Sequence, residues 1–184
     1  MKHLLKLIIA LCIISQVCHA QIIMTENEYK VFNDSIISLL KFAKKDANIY
    51  IGKPFSELVK HFEKCGVKIN IVWLSNYDSE KVFPKHVYGI AVQFISNEIY
   101  DFVWSNDLFT PMVYIDFESS KPYEKALSLR KEYNFTFTKE VEIFYSDAII
   151  KSVIFGFGDS KIYRPIARKR LPLSKDEAIT LQEE

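Results

Sequence analysis

The sequence predicts an α+β fold, with an antiparallel sheet of about five to six strands packed in two layers against two or three helices. Apolar residues recur every three or four positions up to Gly66, which is typical of helices, and at alternate positions after it, which is typical of strands. Short turns between successive strands favour antiparallel pairing. Helices that lie outside the run of strands favour the α+β class.

The first helix is predicted over 25–46. Thr25 and Glu28 have the spacing of a capping box, in which each side chain binds the other residue's backbone amide. The apolar stripe behind this box consists of Tyr29, Phe32, Ile36, Leu39, Leu40 and Ala43.

A second helix is predicted over 54–66, because Pro54 suits a first helical turn and Gly66 suits a left-handed C-terminal cap. Cys65 falls on the apolar stripe of this helix, so we expect a buried, unreactive thiol. His61 falls off the stripe, so we expect its side chain to face solvent.

The remaining elements follow from alternation and turn residues. Strands are predicted at 69–73, 88–94, 100–104, 112–117, 135–145 and 149–157, with a loop at 77–85 and a turn at Ser146-Asp147. A third helix is predicted from Pro122 to Tyr133, capped by Ser119 or Ser120.

Residues 1–20 have the layout of a secretory signal peptide. Lys2 and Lys6 precede a short apolar run, and Cys18-His19-Ala20 places small residues at the cleavage positions. We therefore expect export across the inner membrane, cleavage near Ala20, and a periplasmic or secreted protein. The alternative is a lipoprotein anchored at Cys18, but Val17 stands where the lipidation motif has a small residue.

Residues 21–160 suit one domain, and residues 161–184 form a tail that is first basic and then acidic.

Cleavage would remove two of the three cysteines, and loss of Lys2 and Lys6 would lower the formal net charge from +1 to −1. A near-neutral exported chain argues against nucleic-acid binding. The abundance of Lys, Ile, Asn and Tyr resembles that of small secreted bacterial proteins.

Few residue patterns in the chain indicate catalysis. The spacing of histidines and cysteines matches no zinc site, and neither a phosphate-binding glycine motif nor a G-x-S-x-G elbow is present, so we expect no metal and no cofactor. Carboxylates in predicted strands leave a small hydrolase as one alternative function, with Asp101, Asp116 and Glu118 as its candidate residues. A half-exposed strand explains the pair Asp116 and Glu118 equally simply.

These observations favour a non-enzymatic binding domain that contacts a protein or a glycan through an aromatic sheet face. Aromatic rings provide contact area at a low cost in conformational entropy. The candidate binding residues are Tyr88, Tyr100, Trp104 and Tyr114, together with Arg164, Arg168 and Arg170 of the tail. A third alternative is an envelope-associated protein, held at an anionic membrane surface by that basic tail. The oligomeric state is left open.

Overall fold

The computed structural model describes residues 24–78 and 84–157. These residues form one antiparallel sheet of four strands and five α-helices, which confirms the α+β class. The helices are α1 (Glu26–Lys44), α2 (Phe55–Lys64), α3 (Asn97–Ser105), α4 (Tyr123–Glu132) and α5 (Lys139–Tyr145), with a 3-10 turn at Ala47–Tyr50. The strands are β1 (Ile71–Tyr77), β2 (His86–Gln93), β3 (Met112–Pro122) and β4 (Ile150–Gly156).

The spatial order of the strands is the same as their order in the sequence, and each neighbouring pair is antiparallel. Helix α3 connects β2 to β3, and helices α4 and α5 connect β3 to β4. Short backbone bridges extend the pairing at both edges of the sheet, from Ile71 to Thr136 beside β1 and from Ile149 to Pro54 beside β4.

The first two helices form as the sequence predicts. Thr25 caps α1 in a complete capping box, in which its hydroxyl accepts from the Glu28 amide at 3.2 Å and its amide donates to the Glu28 carboxylate at 2.8 Å. Gly66 ends the α2 turn with a φ of 79°. Pro54 occupies the N-cap of α2 rather than its first turn. Cys65 is buried, as predicted.

The core lies between the helices and the face of the sheet that carries Val92, Val113 and Ile115. Alternate residues of adjacent strands meet on this face, since Val92 pairs with Val113 in the β2–β3 register. Phe62 of α2 contacts Phe94 and Phe155 edge-on, with ring centroids 5.3 Å and 6.2 Å away. The apolar stripe of α2 is thereby fixed against the end of the sheet.

Two of the predicted strands are helical, which reduces the strand number from the expected five or six to four in the described residues. The predicted strand at 100–104 lies in α3, because the Ser96 hydroxyl accepts from the Ile99 amide and begins a helix there. The predicted strand at 135–145 is mostly α5, which Thr138 caps by accepting from the Val141 amide. Only the bridge at Thr136 keeps strand-like pairing in that segment.

Three residue placements differ from the expectations. His61 is buried, and its Nε2 lies 3.0 Å from the Ala43 carbonyl oxygen at the last turn of α1. Asp101 lies on helix α3 instead of a strand. Helix α4 begins at Tyr123 with Pro122 at the N-cap and no side-chain cap bond, so neither Ser119 nor Ser120 caps it.

The predicted signal peptide and the basic tail with Arg164, Arg168 and Arg170 lie outside the described residues. Within the described part of the chain, none of the helices has the length and apolar character needed to cross a membrane.

Candidate binding surface

The face of the sheet that carries Trp73, Tyr114 and Asp116 is called the outer face below. It is opposite the face that carries Val92 and Val113, but its β1–β2 end is buried, at Ile71, Ala91 and Gln93. The strand registers arrange its side chains in three rows that cross the sheet. The middle row contains Trp73, Ala91, Tyr114 and Ile154; on one side of it lie Ile71, Gln93, Met112 and Gly156, and on the other lie Asn76, Gly89, Asp116 and Ser152.

Asp116 is the centre of the polar row. Its carboxylate accepts a hydrogen bond from Asn76 Nδ2 at 3.3 Å and another from Ser152 Oγ at 2.9 Å. These bonds connect β1, β3 and β4 across the backbone of Gly89. The carboxylate is thus engaged in joining strands, which is a structural role.

Four aromatic rings form a continuous column at the β1 end of the outer face. From the interior outwards, Phe135 contacts Trp73, with ring centroids 4.3 Å apart. Trp73 then contacts Tyr100 at 5.3 Å. Tyr100 in turn stacks on Trp104 at 6.3 Å and an interplanar angle of 22°. We call Phe135, Trp73, Tyr100 and Trp104 the aromatic column.

The column ends at an exposed tryptophan on a rigid support. The Trp104 side chain is 59% exposed, whereas the other three members are only partly exposed. Trp73 cannot rotate freely, because its indole Nε1 donates to the Oε1 of buried Gln93 at 2.7 Å. An exposed ring on an immobile base is preorganised for contact, since little side-chain entropy remains to be lost.

Phe135 reaches the column through an unusual backbone conformation. Asn134 and Phe135 have φ values of 46° and 63°, in the left-handed region that bulky residues rarely adopt. Asn97 of α3 holds this loop, since its Nδ2 donates to the Asn134 carbonyl and to Thr136 Oγ1. Backbone strain of this kind is concentrated at functional sites, so it marks the column as a candidate.

Charges lie at both ends of the column. The Arg130 guanidinium is placed over the Phe135 ring, 5.1 Å from its centroid, in a cation–π contact. At the other end Asp101 is exposed, one helical turn before Trp104. Burial, and secondarily the Asp101 charge, raises the pKa of Tyr100 above its ordinary value.

The structure brings together two of the predicted binding residues, Tyr100 and Trp104. Tyr114 is on the same face of the sheet, but it is separated from Trp73 by Ala91 of the intervening strand. Tyr88 is at an irregularity in the β2 register, and its ring is 6.1 Å from the His86 ring, centroid to centroid. The four tyrosine and tryptophan candidates therefore do not form one surface.

The carboxylates of the hydrolase alternative lie on two different elements. Asp101 is on α3, Asp116 binds Asn76 and Ser152, and Glu118 is exposed beyond a break in the β3–β4 register. Across residues 24–78 and 84–157 no group of three or more His, Cys, Asp or Glu side chains could hold a metal ion. The cavity behind Phe135 measures about 10 Å³, too small for a substrate.

Sequence reasoning missed three members of the surface, Trp73, Phe135 and Arg130. The sequence predicts Trp73 in a strand with Ile69 and Ile71, and this alternating pattern does not indicate that the Trp73 ring contacts a helix. Asn134 is the one residue here that could indicate the turn before Phe135, because asparagine is enriched in the left-handed conformation that Asn134 adopts.

Comparison with known proteins adds no relative to this description. No protein-family model matches the sequence, and neither the curated proteins nor the solved structures contain a significant match.

Proposed function

We propose that the protein is a non-catalytic binding domain whose contact point is Trp104, presented at the end of the aromatic column. The observation that carries the proposal is the exposure of Trp104, at 59%, above three rings that are themselves packed. Tryptophan and arginine are enriched among the residues that dominate protein–protein binding energies.

The stacking of the rings favours a protein partner over a glycan. The Phe135 and Tyr100 rings are tilted from the Trp73 ring by 37° and 45°, so Trp73 forms no broad coplanar platform for a sugar chain with either of them. What remains available is the outer end of the column, a single large apolar ring with a polar edge. Such a ring suits an apolar pocket on another protein.

The proposal includes the expected setting of the domain. It comprises residues 21–160, released by cleavage near Ala20 and working in the periplasm or outside the cell. The contacts of Phe62 with Phe94 and Phe155, and of Phe55 with Phe117, support packing of α2 against one face of the sheet. Envelope attachment through Arg164, Arg168 and Arg170 is an additional proposal about the tail.

Photo-crosslinking next to Trp104 tests the proposal in cells that produce the full chain. A photoreactive amino acid at Asp101, one turn from Trp104, should give a discrete protein adduct. The same probe combined with Trp104→Ala should lose most of this adduct, because removing a central aromatic contact commonly weakens binding by tenfold or more. A probe at Ile143, an equally exposed apolar residue on α5, is the off-site control.

Three outcomes would contradict a protein-binding column. The adduct could persist unchanged with Trp104→Ala, or it could appear equally at Ile143. Alternatively, the Asp101 probe could give no protein adduct while a glycan array shows binding that Trp104→Ala abolishes. That last result would retain the column as a binding site but assign it to a glycan.

A further inference from the structure

A second apolar stripe runs along α1, on the side that the core does not cover. The buried residues of α1 are Tyr29, Ile36, Leu40 and Ala43. On another side of the helix, Val31 is 73% exposed and Phe42 is 58% exposed, with Ser35 and Ser38 between them. Steps of four, three and four residues place these side chains in one line.

The stripe has the composition of a helix-packing seam. Ser35 and Ser38 are small enough to let another helix approach closely, at the 8–10 Å between axes that is usual for packed helices. Both hydroxyls are already satisfied within α1, since Ser35 donates to the Phe32 carbonyl at 2.6 Å and Ser38 donates to the Asp34 carbonyl at 2.8 Å. Covering them would therefore leave no unpaired donor.

The seam is symmetrical about its own midpoint. Val31 and Phe42 are equally distant from a point between Ser35 and Ser38. When two copies of α1 cross antiparallel at that point, Val31 of one copy meets Phe42 of the other and the serines meet in the middle. A two-fold axis requires self-complementarity of this kind.

Charge favours the same antiparallel arrangement. The first half of α1 is net acidic, with Glu26, Glu28 and Asp34 against the one lysine Lys30, whereas its last turns carry Lys41 and Lys44, followed directly by Lys45. In an antiparallel pair each acidic half lies beside the basic half of the other copy, and the two helix dipoles oppose each other. A parallel pair would place like charges together.

We infer that the exposed seam of α1, made of Val31, Ser35, Ser38 and Phe42, binds a second copy of this chain as an antiparallel helix pair. This surface is independent of the aromatic column, so the inference does not rest on the proposed function. The Lys45 ammonium lies 5.8 Å from the centroid of the Phe42 ring, at one end of the seam.

Analytical ultracentrifugation of protein purified from cells that express the full chain tests the dimer. We expect a concentration-dependent monomer–dimer equilibrium. Val31→Glu and Phe42→Lys should each raise the dimer dissociation constant by about tenfold or more, because each buries a charge in the seam. Both changes suit the helix dipole, so α1 itself should stay folded, as circular dichroism would verify. Ile143→Lys, at an exposed residue of α5, should leave the equilibrium unchanged.

Cysteine pairing tests the orientation. We would mix Val31→Cys protein with Phe42→Cys protein and oxidise the thiols with diamide. The mixed disulfide between the two variants should form in preference to either homotypic one. Native Cys65 is buried and should contribute little, and Cys12 and Cys18 are expected to be removed by cleavage near Ala20.

The inference is overturned if the wild-type protein is monomeric at all concentrations, which would leave the seam to another occupant. A dimer that persists with Phe42→Lys, or homotypic disulfides as the main product, would equally overturn it.

Discussion

Gly89 lies in β2 directly beneath the Asp116 carboxylate. A Cβ atom at this position would be 2.6 Å from Asp116 Oδ1 and 2.8 Å from the backbone oxygen of Ile115. The side chain of Asp116 could move away, but the backbone of β3 could not do so without distorting the sheet. The close approach of two strands therefore requires glycine at this residue, and it allows the carboxylate to reach Asn76.

We predict that Gly89→Ala lowers the free energy of unfolding by about 1–3 kcal/mol, the usual cost of overpacking a well-filled site. Gly156→Ala in β4 is the matched control, since the nearest atom to its added Cβ would be 3.5 Å away. We expect the control to stay within about 0.5 kcal/mol of wild type. Denaturant unfolding measures both, and equal effects of the two substitutions would contradict this account of Gly89.

His61 shows how residue placement can depend on a neighbouring element. The helical period places His61 outside the apolar stripe of α2. If α2 packed against the sheet alone, the His61 side chain would be exposed. The end of α1 covers that side, and its Ala43 carbonyl supplies a hydrogen-bond partner. Tyr50 also packs on the imidazole, with ring centroids 4.9 Å apart. The pattern of one helix does not contain this information.

At the scale of elements, local signals succeeded where a side chain fixes the backbone. The Thr25 box defines the start of α1, and Gly66 ends the α2 turn, because both act within one turn of the chain. The strands β2, β3 and β4 were predicted from alternation, since one face of each is buried against the core.

The prediction failed at α3, where aromatic residues alternate over a short stretch, and at α5, where Val141, Ile143 and Tyr145 alternate. Tyr100, Phe102 and Trp104 fit a strand by period and by propensity, but the buried residue of α3 is Val103. In α5 the capping Thr138 is followed by Glu140 and Glu142 in the first turn, a helix-start signal that alternation had concealed. The same error affects the candidate site. The sequence predicts Tyr100 and Trp104 as strand residues, but their rings are in contact because a helix brings residues four positions apart onto the same side.

We predict that Thr25→Ala lowers the free energy of unfolding by about 1 kcal/mol, the typical cost of losing an N-terminal cap. The Glu28 carboxylate should respond as well. Its bonds from the Thr25 backbone amide and hydroxyl hold its pKa below the usual value, so loss of the hydroxyl should raise that pKa. Thr25→Ser keeps the hydroxyl and should stay near wild type, whereas a full loss with serine would show that the hydroxyl is not the stabilising group.

At the scale of the whole molecule, buried protonated groups link stability to alkaline pH. Burial raises the pKa of Tyr29 to about 12, and burial also raises the pKa of Tyr145. Burial, with a smaller effect of Asp46, raises the pKa of Cys65. The Tyr29 hydroxyl additionally donates to the Phe109 carbonyl at 2.6 Å, a bond that connects α1 to the segment before β3 and needs the proton.

The sign of the pH dependence follows from these raised pKa values. The folded protein holds the three protons more tightly than the unfolded chain, whose ordinary values are 10.0 for tyrosine and 9.0 for cysteine. Their contribution to stability is therefore fully present below about pH 9 and is lost as pH rises towards the folded pKa values.

Denaturant unfolding at several pH values from 8 to about 11.5 should show a midpoint that is constant at first and then falls. Tyr145→Phe removes one of these hydroxyls with little change in shape, so the fall above pH 10 should be shallower in that variant. A midpoint that is independent of pH over this range, or an unchanged slope in Tyr145→Phe, would mean that these hydroxyls are not held protonated by the fold.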